Sequence, residues 1–349
     1  MKTLRFICIV QLIGFAWGCV KNPLSVQPVI PIPSAKGVYI LNEGLFGMGN
    51  STLSYYDLES FRVFNDVFAA VNSRNLGDVG NQIVVRGEEA YIVVNNSDRI
   101  EIIDVNSHRS TGTINVGAGK SPRQLAFAND SLGLVTNLYD NSVSLLQLKS
   151  RTILGRIPVG DNPEGIAVAA GRAFVANSGF GSGRTVSVID LASLRVVKTL
   201  RVGDNPAGVY VTPYGRIYVV CAGSYGDFSN PDDDTPARIM VIDPVAGTTI
   251  DSITIGGHST VMAFSSEGWG YIPTTDSVVT VDTRVHRVVG TFVRGNYYGV
   301  GVEGVSGDVY LSDVRNYLQP GRISVFAPNG QVRTQFEVGL VPGSIAFKR

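Results

Sequence analysis

Val159-Gly160-Asp161-Asn162-Pro163 recurs without change as Val202-Gly203-Asp204-Asn205-Pro206, 43 residues later. Between the two copies lie four short apolar runs: Gly165–Ala169, Arg172–Asn177, Thr185–Asp190 and Val196–Val202. Each is rich in Val, Ile, Ala or aromatic residues and is bounded by Gly, Asn, Asp or Ser, which are strand and turn signals. The phrase returns loosely as Val116-Gly117, Ile255-Gly256 and Val338-Gly339-Leu340-Val341-Pro342. A second phrase, apolar alternation closed by Asp, appears as Ile102-Ile103-Asp104, Val188-Ile189-Asp190, Val241-Ile242-Asp243 and Thr280-Val281-Asp282. Tyr55-Tyr56-Asp57 opens that series, and Leu145-Leu146-Gln147 and Val325-Phe326-Ala327 fill the same slot without the Asp. This makes seven copies spaced by 39 to 53 residues. Four strands per copy, seven times over, predict an all-β, seven-bladed β-propeller with four antiparallel strands per blade.

The chain ends fit this count. After the last Val-Gly-x-x-Pro phrase only Gly343–Phe347 remains, enough for one innermost strand, and Gly37-Val38-Tyr39-Ile40-Leu41-Asn42 matches a second strand. The last blade is therefore expected to combine N- and C-terminal strands, which closes the ring and removes an exposed seam. The propeller is assigned to residues 37–349.

Composition agrees. The 349 residues carry 29 Lys+Arg and 29 Asp+Glu, and this balance argues against a nucleic-acid partner, since phosphate neutralisation dominates such binding. The 40 glycines and 17% charged residues suit short strands and tight turns rather than disorder or a coiled coil.

The first residues read as an address. Lys2 and Arg5 precede the apolar run Phe6–Trp17, which is short for a bilayer span and suits a signal peptide over residues 1–18. Ala16-Trp17-Gly18-Cys19 resembles a bacterial lipobox, which implies that Cys19 is lipidated. Residues 19–36 carry Pro23, Pro28, Pro31 and Pro33 and read as an extended tether. An exported lipoprotein of the outer membrane is expected, held to the membrane only through its anchor. Once Cys8 leaves and Cys19 carries lipid, Cys221 has no disulfide partner.

The repeat also carries a family resemblance. Ala173-Phe174-Val175-Ala176-Asn177, Val186-Ser187-Val188-Ile189-Asp190 and Val202-Gly203-x-x-Pro206 resemble the YVTN-type repeat of YncE-like envelope propellers, over residues 37 to 349. Gly37-Val38-Tyr39-Ile40-Leu41-Asn42-Glu43-Gly44 followed by Ser54-Tyr55-Tyr56-Asp57 resembles the seven-bladed surface lipoproteins of Bacteroidetes that include the vitamin B12-binding BtuG. That resemblance implies capture of a corrinoid for an outer-membrane transporter, with cobalamin as a transported ligand rather than a cofactor.

Strand order predicts which loops share a face. The loops into each first strand and between second and third strands fall on one rim, and the long, aromatic segments sit there. They supply Phe46, Tyr139, Phe180, Tyr225, Phe228, Tyr298 and Tyr317, interleaved with Asn141, Asp227, Arg315 and Asn316. Aromatic anchors with polar fingers suit a large amphipathic ligand, so these eleven residues are the expected binding site. The opposite turns, such as Ala170-Gly171 and Pro213-Tyr214-Gly215, are short and plain.

Catalytic and metal signatures are sparse. His108 and His286 are expected at solvated turns, His258 lies on the working rim, and none has metal-ligand spacing. Asp232-Asp233-Asp234 lacks the alternation of a calcium loop. Glu164 and Glu303 are expected near the channel, where paired carboxylates suit acid–base work. The sequence therefore favours non-catalytic binding of a small molecule with no metal. A protein-docking scaffold and a hydrolase or lyase using channel carboxylates are the alternatives.

Overall fold

A computed structural model describes residues 36–226 and 233–349. The expected signal peptide, Cys19 and most of the tether lie outside the described residues, as do Asp227, Phe228 and Asp232. Seven four-stranded antiparallel sheets follow one another around a channel. A typical one runs β12(Pro163–Ala169), β13(Arg172–Asn177), β14(Thr185–Asp190), β15(Arg195–Arg201), from the channel outwards. The closing sheet has the order β28(Pro342–Lys348), β1(Gly37–Asn42), β2(Thr52–Asp57), β3(Val63–Phe64), and Ile40 pairs with Ile345 across the joint. The two chain ends thus share one blade, as the sequence predicts.

Burial follows position in the blade. All residues of β1 and of β17(Ile217–Cys221) are buried, and so are Ala173–Asn177 of β13, because a second strand is covered by the neighbouring blades on both faces. This explains why these strands read as continuous apolar runs rather than as an alternation. Fourth strands such as β15 are largely exposed. The core is a chain of clusters between adjacent blades, for example Phe174, Val188 and Leu200 against Val209, Ile217 and Val219.

Both repeated phrases have local physical causes. The Asp that ends a third strand caps the next turn: Asp104 Oδ1 accepts from the backbone N–H of Ser107 at 2.8 Å, Asp190 Oδ1 from Ser193 at 2.7 Å, and Asp243 Oδ1 from Val245 at 2.9 Å. The Gly of Val-Gly-x-x-Pro makes room for the residue that ends the second strand. A Cβ on Gly160 would fall 2.5 Å from Asn177 Cγ, and one on Gly339 would fall 2.7 Å from Asn42 Nδ2. These asparagines in turn clamp the third strand. Asn42 Nδ2 donates to Ser54 Oγ at 2.9 Å, Asn137 Nδ2 to Ser144 Oγ at 2.8 Å, and Asn177 Nδ2 to Thr185 Oγ1 at 2.9 Å.

Two features depart from the expectation. A short helix, α1(Val67–Asn72), leads out of the closing blade and lays Phe68 over Tyr39 and Tyr55. His108 is fully buried rather than solvated: its ring sits 5.5 Å from that of Tyr39 and 5.0 Å from that of Tyr55, and neither ring nitrogen has a hydrogen-bond partner among the described residues. The α1 insertion roofs a turn that would otherwise be wet, and Asn72 Nδ2 donates to the His108 carbonyl at 2.9 Å. His286 is also engaged, through a 2.7 Å hydrogen bond between its Nδ1 and the Tyr218 hydroxyl.

Candidate functional site at the channel mouth

The innermost strands aim their first side chains at the mouth by a shared device. In five of the seven blades the residue just before the strand takes a left-handed conformation: Val79 (φ 57°), Ser121 (φ 51°), Asn162 (φ 45°), Asn205 (φ 52°) and Val341 (φ 56°). A bulge then follows. Pairing skips Asn81 in β4(Gly80–Arg86), Arg123 and Gln124 in β8(Pro122–Phe127), Glu164 and Gly165 in β12, Ala207 in β16(Pro206–Val211), and Gly343 in β28. Bulges re-aim side chains, and here they turn them toward the axis. Asn tolerates the left-handed region; for β-branched Val79 and Val341 it is strained.

All the skipped residues but Gly165 line an open bowl of about 840 Å³ on the rim that carries the long loops. Asn81, Arg123, Glu164, Ala207, Thr260, Tyr298 and Gly343 contribute one position from each blade. A narrower stem of about 330 Å³ continues below, between Gln82, Tyr210, Phe264, Val300 and Ile345.

The floor of the bowl is polar. Arg123 Nε donates to Glu164 Oε2 at 2.6 Å, and Arg123 Nη1 donates to Asn81 Oδ1. The Tyr298 hydroxyl donates to Glu43 Oε1 at 3.0 Å. Burial pushes the Glu43 carboxyl up to about 7, and the charge of Glu164 pushes the same way, while the Tyr298 hydrogen bond and Arg123 pull against them. The Tyr298 phenol is itself raised by burial and by Glu43.

The walls are aromatic. Phe180, 63% exposed, rises from the loop between β13 and β14 and packs its ring 5.7 Å from that of Tyr139. Tyr225, 54% exposed, stacks on His258 with centroids 3.7 Å apart. His258 Nδ1 is 2.9 Å from the Ala222 carbonyl, so this ring is a support that holds Tyr225 upright. Tyr317 meets Tyr298 edge-on at 6.4 Å.

Of the residues singled out in the sequence, Phe180, Tyr225 and Tyr298 line the bowl, with Tyr139 and Tyr317 as their neighbours. Asp227 and Phe228 lie outside the described residues, and the remaining four are placed elsewhere. Asn141 Nδ2 donates to Asp161 Oδ1 at 3.1 Å while its Oδ1 accepts from the Asn162 backbone at 2.9 Å. Asn316 Oδ1 accepts from the backbone of Leu318 and Gln319, both at 3.1 Å. Arg315 pairs with Glu337 at 2.7 Å. Phe46 is 70% exposed on its loop and does not line the bowl. Glu303 lies at the far end of its strand, on the opposite face, where it pairs with Arg349 at 3.0 Å. The carboxylate that shares the mouth with Glu164 is Glu43 instead. Asn81 and Arg123 escaped the sequence reading, although a signal was there: each stands just after the Pro, or its Gly equivalent, of the repeated phrase, aligned with Glu164.

Among the described residues no group of His, Cys, Asp and Glu is arranged to hold a metal ion. The Cys221 thiol is buried and pushed up to about 12, so it stays protonated and unreactive.

Comparisons with known proteins agree on architecture. The family profile described as "Domain of unknown function (DUF5074)" matches residues 36–229. Among solved structures, a quinonprotein alcohol dehydrogenase-like protein from Bacteroides thetaiotaomicron is 17% identical, with a TM-score of 0.67 over 90% of this chain and 79% of that one. Hydrazine synthase from Kuenenia stuttgartiensis is 18% identical, with a TM-score of 0.63 over 76% of this chain and 89% of that one. At such identities the likeness is one of fold, and a fold hosts many activities. No curated protein matches the sequence.

Proposed function

The chain belongs to the DUF5074 family, and we propose that it is a ligand-capture propeller that takes a large amphipathic molecule into the mouth of its channel. The observation that carries this reading is the bowl itself: about 840 Å³, with aromatic walls over a floor to which every blade contributes and which Asn81, Arg123, Glu164 and Glu43 make polar. Small-molecule sites of 300–1,000 Å³ have this mixture of apolar wall and few convergent polar groups. A corrinoid is the specific ligand proposed, and it rests on the likeness of Gly37–Gly44 and Ser54–Asp57 to the Bacteroidetes lipoproteins. The macrocycle lies over Phe180, Tyr225 and Tyr298, and its peripheral amides meet Asn81, Arg123 and Glu164.

Export and anchoring through Cys19, with hand-over to an outer-membrane transporter, belong to the same proposal. The start of β1 at Gly37, on the face opposite the mouth, supports this reading, since an anchor attached on that side suits a bowl turned outward. Calorimetry of the mature chain with cyanocobalamin tests the reading. Binding is expected, weakened about tenfold or more by Phe180→Ala or Tyr225→Ala, since buried aromatic anchors dominate such contacts. Absence of heat and of co-elution at micromolar concentration rejects the corrinoid.

A second reading, as a hydrolase or lyase, is favoured by one observation, the Glu43 carboxyl held at about 7 beside the Glu164–Arg123 pair. A group so placed suits acid–base work at neutral pH. Any lactone or glycan turnover detected should then vanish in both Glu43→Gln and Glu164→Gln; turnover that persists in either dismisses that role.

A further inference from the structure

Glu43 stands at the end of the closing blade's second strand, where the chain turns into the mouth. Three groups face it, each from a different blade: the Tyr298 hydroxyl at 3.0 Å, the Arg123 guanidinium and the Glu164 carboxylate. Arg123 is already committed to Glu164 and Asn81, so two carboxylates share one guanidinium. Among the described residues no ion pair includes Glu43. What supports its charged form is the Tyr298 hydrogen bond, the shared charge of Arg123 and access to solvent through the open bowl.

A ligand that settles on Phe180, Tyr225 and Tyr298 removes that water. Loss of water penalises the carboxylate and leaves the neutral acid untouched. The neutral acid also gains an O–H donor, which an amide carbonyl on the ligand can accept. On the capture reading above, we propose that the mouth takes up a proton at Glu43 as a neutral, amide-bearing ligand closes over it, so that capture is favoured in acid and release in alkali. A ligand bearing a cationic nitrogen would do the reverse, stabilising the carboxylate and expelling the proton.

The size of the effect follows from the free site. With Glu43 at about 7, its protonated fraction in the unliganded protein falls from about 0.9 at pH 6 to about 0.1 at pH 8. If the complex keeps the proton throughout, the Kd rises about tenfold across that interval.

Calorimetry with cyanocobalamin reads this directly when titrations are repeated in phosphate and in Tris, whose ionisation enthalpies differ. Near pH 7.5 most of one proton should be taken up per ligand bound, and the Kd should rise about tenfold between pH 6 and pH 8. In Glu43→Gln both the proton uptake and the pH dependence should disappear. Binding without proton uptake, or with proton release, overturns the inference and leaves capture standing. Uptake that persists in a folded Glu43→Gln protein overturns the assignment to Glu43. No heat at either pH rejects the corrinoid as ligand and this inference with it. The proton count on the unmodified protein stands whether or not the variant folds.

Discussion

His108 makes acid stability a sharp test of the fold. Its ring is fully buried beside Tyr39 and Tyr55 with both nitrogens unpartnered among the described residues, so a proton there gains no acceptor from them. Burial, helped by the charge of Lys348 and opposed by Asp104, lowers it from 6.5 to about 4. The unfolded chain, with its histidine near 6.5, therefore binds more protons than the folded one between these values, and stability rises with pH across that window. It is fully present above about 6.5 and is lost progressively down to about 4, where the loss reaches about 3 kcal/mol at 1.36 kcal/mol for each tenfold change. Carboxylates contribute their own acid dependence, so the informative quantity is a difference between two proteins. His108→Phe keeps a ring in the Tyr39–Tyr55 pocket while removing the titration. Urea unfolding of both proteins near pH 7.5 and near pH 4.5 should show the unmodified protein losing about 2.5 kcal/mol more than the variant. Equal losses would refute the claim that His108 is buried neutral, and with it the packing of α1 over the closing blade.

The repeated glycine gives a steric test. Gly160→Ala drives a Cβ to 2.5 Å from Asn177 Cγ and should cost about 1–3 kcal/mol, seen as a lower melting temperature. Gly155→Ala, with open space at its Cβ, should melt like the parent. Removing residues 342–349 deletes β28, the inner strand of the closing sheet, and should leave a chain that shows no cooperative melt by circular dichroism. Phe174→Ala empties a fully buried site between two blades and should cost about 3–5 kcal/mol in urea unfolding. His258→Ala removes the ring under Tyr225 and should weaken ligand binding several-fold by calorimetry with little change in melting temperature.

Part of the molecule was legible because its causes are local. A turn is capped by an Asp two or three residues away, as Asp190 caps Ser193, so the Asp recurs wherever the turn does. The Gly of Val-Gly-x-x-Pro recurs because the same asparagine or its equivalent fills the space beside it in successive blades. Period, strand count and the shared blade of the two ends all follow from such short-range rules, and so does the rim on which the long loops gather.

Other properties depend on residues that the ring brings together from distant copies. Asn81, Arg123 and Glu164 lie far apart in the chain and converge because a bulge in each of their inner strands turns them toward a common axis, where Tyr298 and Glu43 join them from the ends of other strands. A list of aromatic and polar loop residues cannot separate Tyr225, which lines the mouth, from Asn316, whose oxygen is already spent on its own turn. Nor does the sequence say that a six-residue helix will roof His108, or that Glu43 will lose enough water to titrate near neutrality. Backbone pattern is written in neighbours along the chain, whereas burial and charge at the mouth are set by neighbours in space.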